Sequence, residues 1–258
     1  MLEVMPILKG TALALTCAGA LTLTSCGTDA TEERITVYAA ASLHEVFEEI
    51  GDLYTEETGT AVEFSFAGSA DLLAQLEQGA PADVLVTADE QTMSRAAEDE
   101  LLAETPQVFA ANTLALATPA GNPAGITGLE DLEREDVISV LCAPQVPCGA
   151  LSRELTAAAG VEPVPASEEN SVTDVLGKVR SAEADAGLVY ASDVQAAGED
   201  VETIEIDDAE DHLNRYPGAV LESAEVPEEA AEFLAFLAMP EATELLHEAG
   251  FRTGEDGW

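Results

Sequence analysis

From Arg34 onward, short apolar runs alternate with longer amphipathic stretches. Six apolar runs have the length of strands: RITVYAA (34–40), AVEFSFA (61–67), DVLVTA (83–88), TLALAT (113–118), VISVLCA (137–143) and AGLVYA (186–191). Helical periodicity appears between them, near residues 43–57, 69–78, 89–98, 150–159 and 171–184. Short buried strands that alternate with helices are typical of parallel sheets, so the pattern predicts an α/β protein.

Two segments rich in Pro and Gly interrupt this rhythm, TPAGNPAGITG (118–128) and NRYPG (214–218). A second series of strand–helix units lies between them. The pattern therefore predicts two lobes, the first formed by residues 34–113 and 218–258 and the second by residues 114–217. The chain would cross between the lobes twice, and two C-terminal helices, broken at Pro240, would return to the first lobe.

The composition narrows the range of partners. The chain has 258 residues, of which 47% are hydrophobic, and this suffices for packed cores in two lobes. It carries 51 acidic and only 9 basic residues, for a formal net charge of −42. Nucleic acids and anionic lipid surfaces both require a basic footprint, so neither is an expected partner. The acids are spread along the chain, which is typical of a solvated surface.

The first 25 residues differ from the rest and predict an export signal. Lys9 precedes the mildly apolar stretch GTALALTCAGALTLTS (10–25), which is followed by Cys26. The sequence LTSC (23–26) resembles a bacterial lipobox, in which the cysteine is lipidated and becomes the mature N-terminus. Residues 26–33 would then form a linker to the folded domain. An ordinary signal peptide cleaved elsewhere, or a retained anchor, is the alternative.

Cys142 and Cys148, in CAPQVPCG, are the two cysteines that remain in the exported domain if Cys17 is removed and Cys26 carries lipid. An oxidising compartment favours a disulfide between them. Two buried free thiols are the alternative.

Small residues occupy the predicted strand-to-helix junctions. In open α/β sheets, ligands bind beyond the carboxyl ends of the strands. Ser42 follows the first strand, AGSA (67–70) follows the second, and VPCGA (146–150) and ENSV (169–172) precede later helices. Such turns present free N–H groups and the positive end of a helix dipole, and this arrangement suits an anion. Taken alone, Ser42 and Ser69 are each expected to cap the helix that follows more often than to donate to an anion.

Several longer motifs resemble those of the extracytoplasmic molybdate-binding proteins of molybdate ABC transporters, within the periplasmic-binding-protein type II superfamily. They are ITVYAAASLHEVF, FAGSADLLAQLEQGAPADVLVTAD, VPCGALSREL, ENSVTDVLGKVRSAEADAGLVYASD and HEAGF. The resemblance implies a two-lobed fold in which each lobe is a mostly parallel sheet flanked by helices. It places the ligand in the cleft between the lobes.

The resemblance also implies a ligand set for molybdate and for tungstate, bound as an oxyanion and not as a bare metal cation. Ser42 and Ser69 would contribute hydroxyls and amides, Cys148 and Val172 backbone amides, and Tyr190 its phenol. Cys148 departs from the family, which commonly has Ala in the motif VPAG. A thiol that faced the cleft, instead of bonding to Cys142, would make the site redox-sensitive.

The resemblance further implies a monomeric binding protein with no catalytic residue and no cofactor. Its partners would be a membrane permease and a cytoplasmic ATPase, and lipidated Cys26 would anchor it to the outer face of the cell membrane. The alternatives are a binding protein for another oxyanion, such as sulfate, and an enzyme on the same two-lobed fold. The sequence offers little for an enzyme, because Ser42 and His44 are two residues apart and would face different ways on a helix.

Overall fold

The computed structural model describes residues 34–254. The predicted signal peptide (1–25), the lipidation site Cys26, the linker (26–33) and residues 255–258 of the predicted first lobe lie outside this range. Within residues 34–254, no helix combines the length and apolar character needed to cross a membrane.

The described residues form ten strands and eight α-helices. The strands are β1 (Arg34–Ala40), β2 (Ala61–Ala67), β3 (Val84–Val86), β4 (Gln107–Asn112), β5 (Leu114–Pro119), β6 (Ser139–Cys142), β7 (Ser167–Glu169), β8 (Ala186–Tyr190), β9 (Val201–Ile204) and β10 (Asn214–Val220). The helices are α1 (His44–Thr58), α2 (Ser69–Glu77), α3 (Glu90–Glu98), α4 (Pro147–Ala159), α5 (Val172–Arg180), α6 (Ala191–Ala197), α7 (Pro227–Phe236) and α8 (Pro240–Glu248).

The strands assemble into two five-stranded sheets of the same plan. The first has the order β2-β1-β3-β10-β4 and the second the order β7-β6-β8-β5-β9. The predicted α/β class, with two sheets flanked by helices, is confirmed. Four strands of each sheet run in one direction, as expected for a mostly parallel sheet, and the fifth runs antiparallel to both of its neighbours: β10 in the first sheet and β5 in the second.

The antiparallel strands are the ones that arrive from the other sheet. Only Thr113 separates β4, in the first sheet, from β5, in the second, so the chain enters the second sheet directly and without a helical crossover. Parallel neighbours need such a crossover, and β1, β2 and β3 have it in α1 and α2. The return to the first sheet begins with β10 at Asn214, four residues before the predicted start of the returning segment at 218.

An aspartate fixes the start of the third strand in each sheet. Asp83, just before β3, accepts the backbone N–H of Thr36 at 2.8 Å, and Asp185, just before β8, accepts that of Ile138 at 2.8 Å. Asp83 also accepts the N–H of Glu225 at 2.7 Å, which ties the segment before α7 to the same sheet. These bonds hold the amino ends of the strands, so that the opposite, carboxyl ends are set in register at the cleft.

The few aromatic residues concentrate on one side of the first sheet. Phe47 and Tyr54 of α1 pack against Phe64 of β2 and Phe233 of α7, with ring centroids 5.3–6.2 Å apart. Phe47, Tyr54 and Phe233 are almost fully buried. This packing holds α1, whose preceding turn contributes to the site, against the sheet.

Candidate anion-binding site

One small cavity lies at the carboxyl ends of strands from both sheets. All five residues predicted as ligands line it: Ser42, Ser69, Cys148, Val172 and Tyr190. Its volume of about 20 Å³ is far below the roughly 300–1,000 Å³ of pockets for drug-sized molecules. Among residues 34–254, no charged side chain lines this cavity. The cavity therefore suits a compact ligand that is held by neutral groups.

Three helices begin at this cavity. Ser69 and Val172 are the first residues of α2 and α5, and Cys148 is the second residue of α4. First-turn N–H groups have no acceptor within their own helix, and the aligned peptide dipoles make each helix start partly positive. Helix starts from both sheets thus place N–H donors around one point, and this is a favourable environment for an anion.

The local sequence explains where these helices start. Pro147 occupies the first position of α4, where a missing N–H costs nothing. Ser171 caps α5, because its hydroxyl accepts the N–H of Asp174 at 3.2 Å. The starts of α4 and α5 are therefore favoured by their own residues.

Neither Ser42 nor Ser69 is a helix cap. Ser42 lies inside a 3₁₀ turn (Ala41–Leu43) before α1, and no side chain caps that turn, α1 or α2. The expectation that Ser42 caps its helix is therefore wrong. The cap position of α2 belongs to Gly68, so the cap interpretation of Ser69 fails as well. Both hydroxyls are left to other partners.

The hydroxyls of the three predicted ligand residues Ser42, Ser69 and Tyr190 have partners inside the protein. Ser69 Oγ accepts the N–H of Ala88 at 3.0 Å. Tyr190 Oη accepts a hydrogen from Asn214 Nδ2 at 2.7 Å. Ser42 Oγ lies 3.0 Å from Tyr216 Oη, and either hydroxyl can donate. In the first two cases the hydroxyl oxygen is the acceptor, so its own hydrogen is available for another group.

The tyrosines at the site remain protonated. Burial raises the pKa of Tyr190 well above its ordinary value, and the neighbouring Tyr216 raises it further. Burial also raises the pKa of Tyr216, and its hydrogen bond with Ser42 offsets only part of this effect. Both phenols are therefore neutral at physiological pH and keep a hydrogen that can be donated.

A buried carboxyl lies directly behind Tyr190. Asp193 Oδ2 accepts the backbone N–H of Tyr190 at 2.9 Å, and the residue is only 6% exposed. Burial raises the pKa of Asp193 to about 7; the bond from Tyr190 opposes this shift, and the negative charge of Glu45 adds to it. Asp193 is consequently a carboxyl that changes charge near neutral pH. It is bonded to the backbone of Tyr190, which lines the cavity.

Backbone from the two sides of the cleft meets at Gly68. A Cβ added to Gly68 would lie 2.1 Å from the backbone oxygen of Asn170, which immediately precedes the cap of α5. Gly68 has ordinary backbone angles, φ −59° and ψ 138°, so glycine is needed here for space and not for conformation. The structure therefore shows the cleft closed at this edge of the cavity.

Cys142, the last residue of β6, and Cys148, in the first turn of α4, form a disulfide with a Cα–Cα distance of 5.7 Å. The Cys148 sulfur is thus bonded to Cys142, and only the backbone amide of Cys148 is available to a ligand. Gly149 follows in the same tight turn, where a Cβ would lie 2.0 Å from the backbone oxygen of Ala143. The turn is held compactly on the second-lobe side of the cavity.

Two residues of the site were not predicted from the sequence. Asn214 and Tyr216 lie in NRYPG, which the sequence pattern marks only as a break, yet both contact predicted ligand residues. Their two-residue spacing places them on one face of β10. This spacing is visible in the sequence and could have indicated a strand. Pro217, a residue that is uncommon inside strands, argued against that prediction.

Neither His44 nor His212, a histidine in the acidic stretch DDAEDH (207–212), lines this cavity. His44 packs edge-on against Phe66 and lies 3.6 Å from Glu48, and His212 contacts Glu154 at 2.8 Å. Within residues 34–254, no group of three or more His, Cys, Asp or Glu residues is placed to hold a metal ion.

Two sheets of identical plan, joined by two crossings and enclosing an anion-sized cavity, define a two-lobed solute-binding protein. The family of bacterial extracellular solute-binding proteins matches residues 35–252, and the chain belongs to this family. The expected fold and family are therefore confirmed.

Similar proteins share most of the chain. The molybdate-binding protein ModA of Mycobacterium tuberculosis is 42% identical over 218 residues, which cover 84% of each chain. ModA of Escherichia coli is 31% identical over 234 residues, covering 86% of this chain and 90% of the relative. The solved periplasmic molybdate-binding protein of Azotobacter vinelandii aligns with a TM-score of 0.71 over 84% of this chain and 98% of its own, at 21% identity, and supports the fold alone.

The ionisation of Asp193 predicts a pH-dependent stability. Its pKa is about 7 when folded and about 3.9 in an unfolded chain, so between these values the folded state binds a proton that the unfolded state does not. Stability is therefore lost as the pH rises through this window, and the loss levels off above about pH 7. Asp193→Asn keeps an oxygen acceptor for Tyr190 N–H but does not ionise. Its unfolding free energy, relative to wild type, should rise by up to about 1.4 kcal/mol per pH unit across the window.

Denaturant unfolding at several pH values between about 5 and 8 measures this difference. Glu45→Gln serves as the second variant: removing its charge lowers the folded pKa of Asp193, so the loss of stability should level off at a lower pH and be smaller in total. A difference between Asp193→Asn and wild type that stays constant over this range would contradict the assignment.

Proposed function

We propose that this protein captures molybdate, and also tungstate, outside the cytoplasm and delivers it to an ABC importer. The observation that carries the proposal is the cavity between the lobes, which is lined by three helix starts and by the residues Ser42, Ser69 and Tyr190, and by no charged side chain among the described residues. The 42% and 31% identity to proteins named ModA supports molybdate as the ligand. The proposal describes a binding protein and not an enzyme.

Neutral dipoles can hold a dianion in this cavity without a buried cation. Preorganised N–H and O–H donors in a low-dielectric site interact strongly with charge and need no rearrangement on binding. Ser69, Cys148 and Val172 contribute helix-start amides, and Ser42 and Tyr190 contribute hydroxyls. A fully deprotonated tetrahedral oxyanion presents only acceptors and therefore matches this set.

The same donor set disfavours the two common competitors. Hydrogen phosphate carries a proton that needs an acceptor, and no carboxylate lines the cavity within the described residues. A buried unmatched polar group costs about 1–3 kcal/mol, which corresponds to tenfold or more in affinity. Sulfate has no such proton, but its shorter bonds would leave some donors beyond hydrogen-bonding distance.

The proposed partners are a membrane permease and its ATPase. Membership in a family described as extracellular supports a location outside the cytoplasm. We include in the proposal that Cys26 carries a lipid that anchors the chain to the outer face of the membrane, which rests on LTSC alone. The protein would act as a monomer that carries one anion at a time.

Calorimetric titration with molybdate, tungstate, sulfate and phosphate tests the ligand. Molybdate and tungstate should bind at least about tenfold more tightly than sulfate and phosphate.

Ser42→Ala and Ser69→Ala should each weaken molybdate binding by about 1–3 kcal/mol, because each removes a hydroxyl donor to a charged ligand. Ser94→Ala is the matched control and should bind molybdate with wild-type affinity. It removes a hydroxyl on α3 that donates to the backbone oxygen of Glu90. Equal affinity for sulfate and molybdate would show that the ligand is wrongly assigned.

Gly68→Ala tests the closed cleft. The added methyl group would overlap the backbone oxygen of Asn170, so the lobes should fail to close and molybdate affinity should fall at least about tenfold. Gly177→Ala, on α5, is the control, because its Cβ would meet nothing within 4 Å. Solution scattering should show that molybdate compacts the wild type and Gly177→Ala but not Gly68→Ala. Compaction and wild-type affinity in Gly68→Ala would rule out the proposed closure.

Mass spectrometry of protein extracted from membranes tests the anchor. The mature chain should begin at Cys26 and carry the mass of attached lipid, and Cys26→Ser should abolish both features. A mature N-terminus at another residue, without lipid, would exclude anchoring at Cys26.

A further inference from the structure

Asn214 connects three parts of the structure that meet at the cavity. It is the first residue of β10, the strand that returns to the first sheet, and it is 9% exposed. Its Nδ2 donates to Tyr190 Oη at 2.7 Å and to the backbone oxygen of Pro147 at 3.1 Å. One amide group thus holds the end of β8 and the start of α4, and both of these elements line the cavity.

The direction of the bond to Tyr190 is fixed by the bond to Pro147. A carbonyl oxygen can only accept, so the Asn214 amide must point its nitrogen toward Pro147. An amide nitrogen has two hydrogens to donate and does not accept. The Tyr190 hydroxyl is therefore the acceptor, and it cannot return its own hydrogen to Asn214.

Two acceptors remain for that hydrogen: the hydroxyl of Tyr216, with which Tyr190 is hydrogen-bonded, and a ligand in the cavity. Tyr190 is 1% exposed and lines the cavity, so a hydrogen that lacks an acceptor there would be costly. The neighbouring hydroxyl of Tyr216, whose ring centroid is 5.9 Å from that of Tyr190, is itself paired with Ser42. If Tyr190 donated to Tyr216, Tyr216 could in turn donate to Ser42, and a hydrogen would still emerge at the cavity from Ser42.

We propose that Asn214 is a specificity-determining positioning residue of the anion site: by donating to Tyr190 it keeps a hydroxyl hydrogen directed at the bound anion. The site then selects ligands that only accept and rejects those that carry a proton. This inference rests on the proposed function, since it concerns the choice among tetrahedral oxyanions. The Ser69 hydroxyl likewise accepts a hydrogen bond, from the N–H of Ala88. Because this donor belongs to the backbone, no side-chain substitution can remove it.

Asn214→Leu, close in volume and without hydrogen-bonding groups, tests the proposal. Without the donor, Tyr190 can turn its hydroxyl and accept a hydrogen from the ligand. Molybdate and sulfate affinities should fall, whereas the affinity for hydrogen phosphate, measured near pH 8, should fall less or rise. The ratio of the phosphate to the molybdate dissociation constant should decrease by about tenfold, the value of one buried mismatch. Asn214→Ala should shift the ratio in the same direction if the leucine variant does not fold.

Thr118→Val is the control. Thr118 lies on β5, four residues from the Leu114 that pairs with Tyr190; it is fully buried, and its hydroxyl donates to the backbone oxygen of Pro119 at 3.3 Å. Its replacement also removes a buried hydrogen-bonding group, so it should lower stability but leave the anion ratio unchanged. In a Tyr190→Phe background, the Asn214 substitutions should no longer change the ratio, because their effect acts through the phenol.

The outcomes separate the inference from the proposed function. A wild-type protein that binds molybdate no more tightly than phosphate would overturn both. Selective wild-type binding with the same anion ratio in Asn214→Leu and Asn214→Ala would overturn the role of Asn214 alone. A change of ratio that persists in the Tyr190→Phe background would also refute it, because the effect would then not pass through Tyr190.

Discussion

The site is governed by the requirement that N–H and O–H dipoles, and not cationic side chains, meet the charge of its ligand. A dipole is effective only if it is close and correctly oriented, so the protein must fix many donors at once. The starts of α2, α4 and α5 converge on one small cavity, and hydroxyls with defined partners fill the gaps between them. A lysine or arginine would tolerate looser geometry, because its charge acts over a longer range.

Both sheets are built to satisfy this requirement. Their strand orders are the same, and in each an aspartate pins the beginning of the third strand while the carboxyl ends face the cleft. The crossing strands then join the two halves: β5 enters the second sheet and β10 returns to the first. Because Asn214 and Tyr216 lie on this returning strand, the groups that orient the Tyr190 and Ser42 hydroxyls belong to the connection between the lobes. The strand that joins the two sheets therefore also positions two hydroxyls of the site.

Local signals in the sequence predicted most elements and the strand-to-helix junctions at the cavity, whereas the five proposed ligand residues came from the family resemblance. Strand-to-helix junctions are visible as a change of period, and Ser42, Ser69 and Tyr190 stand at such junctions. The mixed character of the sheets was not predictable in this way, since strand direction depends on where the chain goes next. β10 was missed because Pro217 breaks its pattern and shifts the register beside Tyr216. The partners of the Ser42 and Ser69 hydroxyls were also missed, since Tyr216 and Ala88 are distant in sequence and only the fold brings them close.

The net charge of −42 has to be reconciled with the capture of an anion. The acids lie mainly on the surface, where ionic strength near 0.15 M screens them over roughly 8 Å, so their repulsion is felt during approach more than at the site. At the proposed site the N–H and O–H donors would touch the anion directly, over distances at which screening by salt is small. The acid placed behind Tyr190 is Asp193, whose pKa of about 7 leaves it partly protonated near neutral pH. Burial makes this carboxyl costly to ionise. It therefore also limits the negative charge beside the proposed anion site.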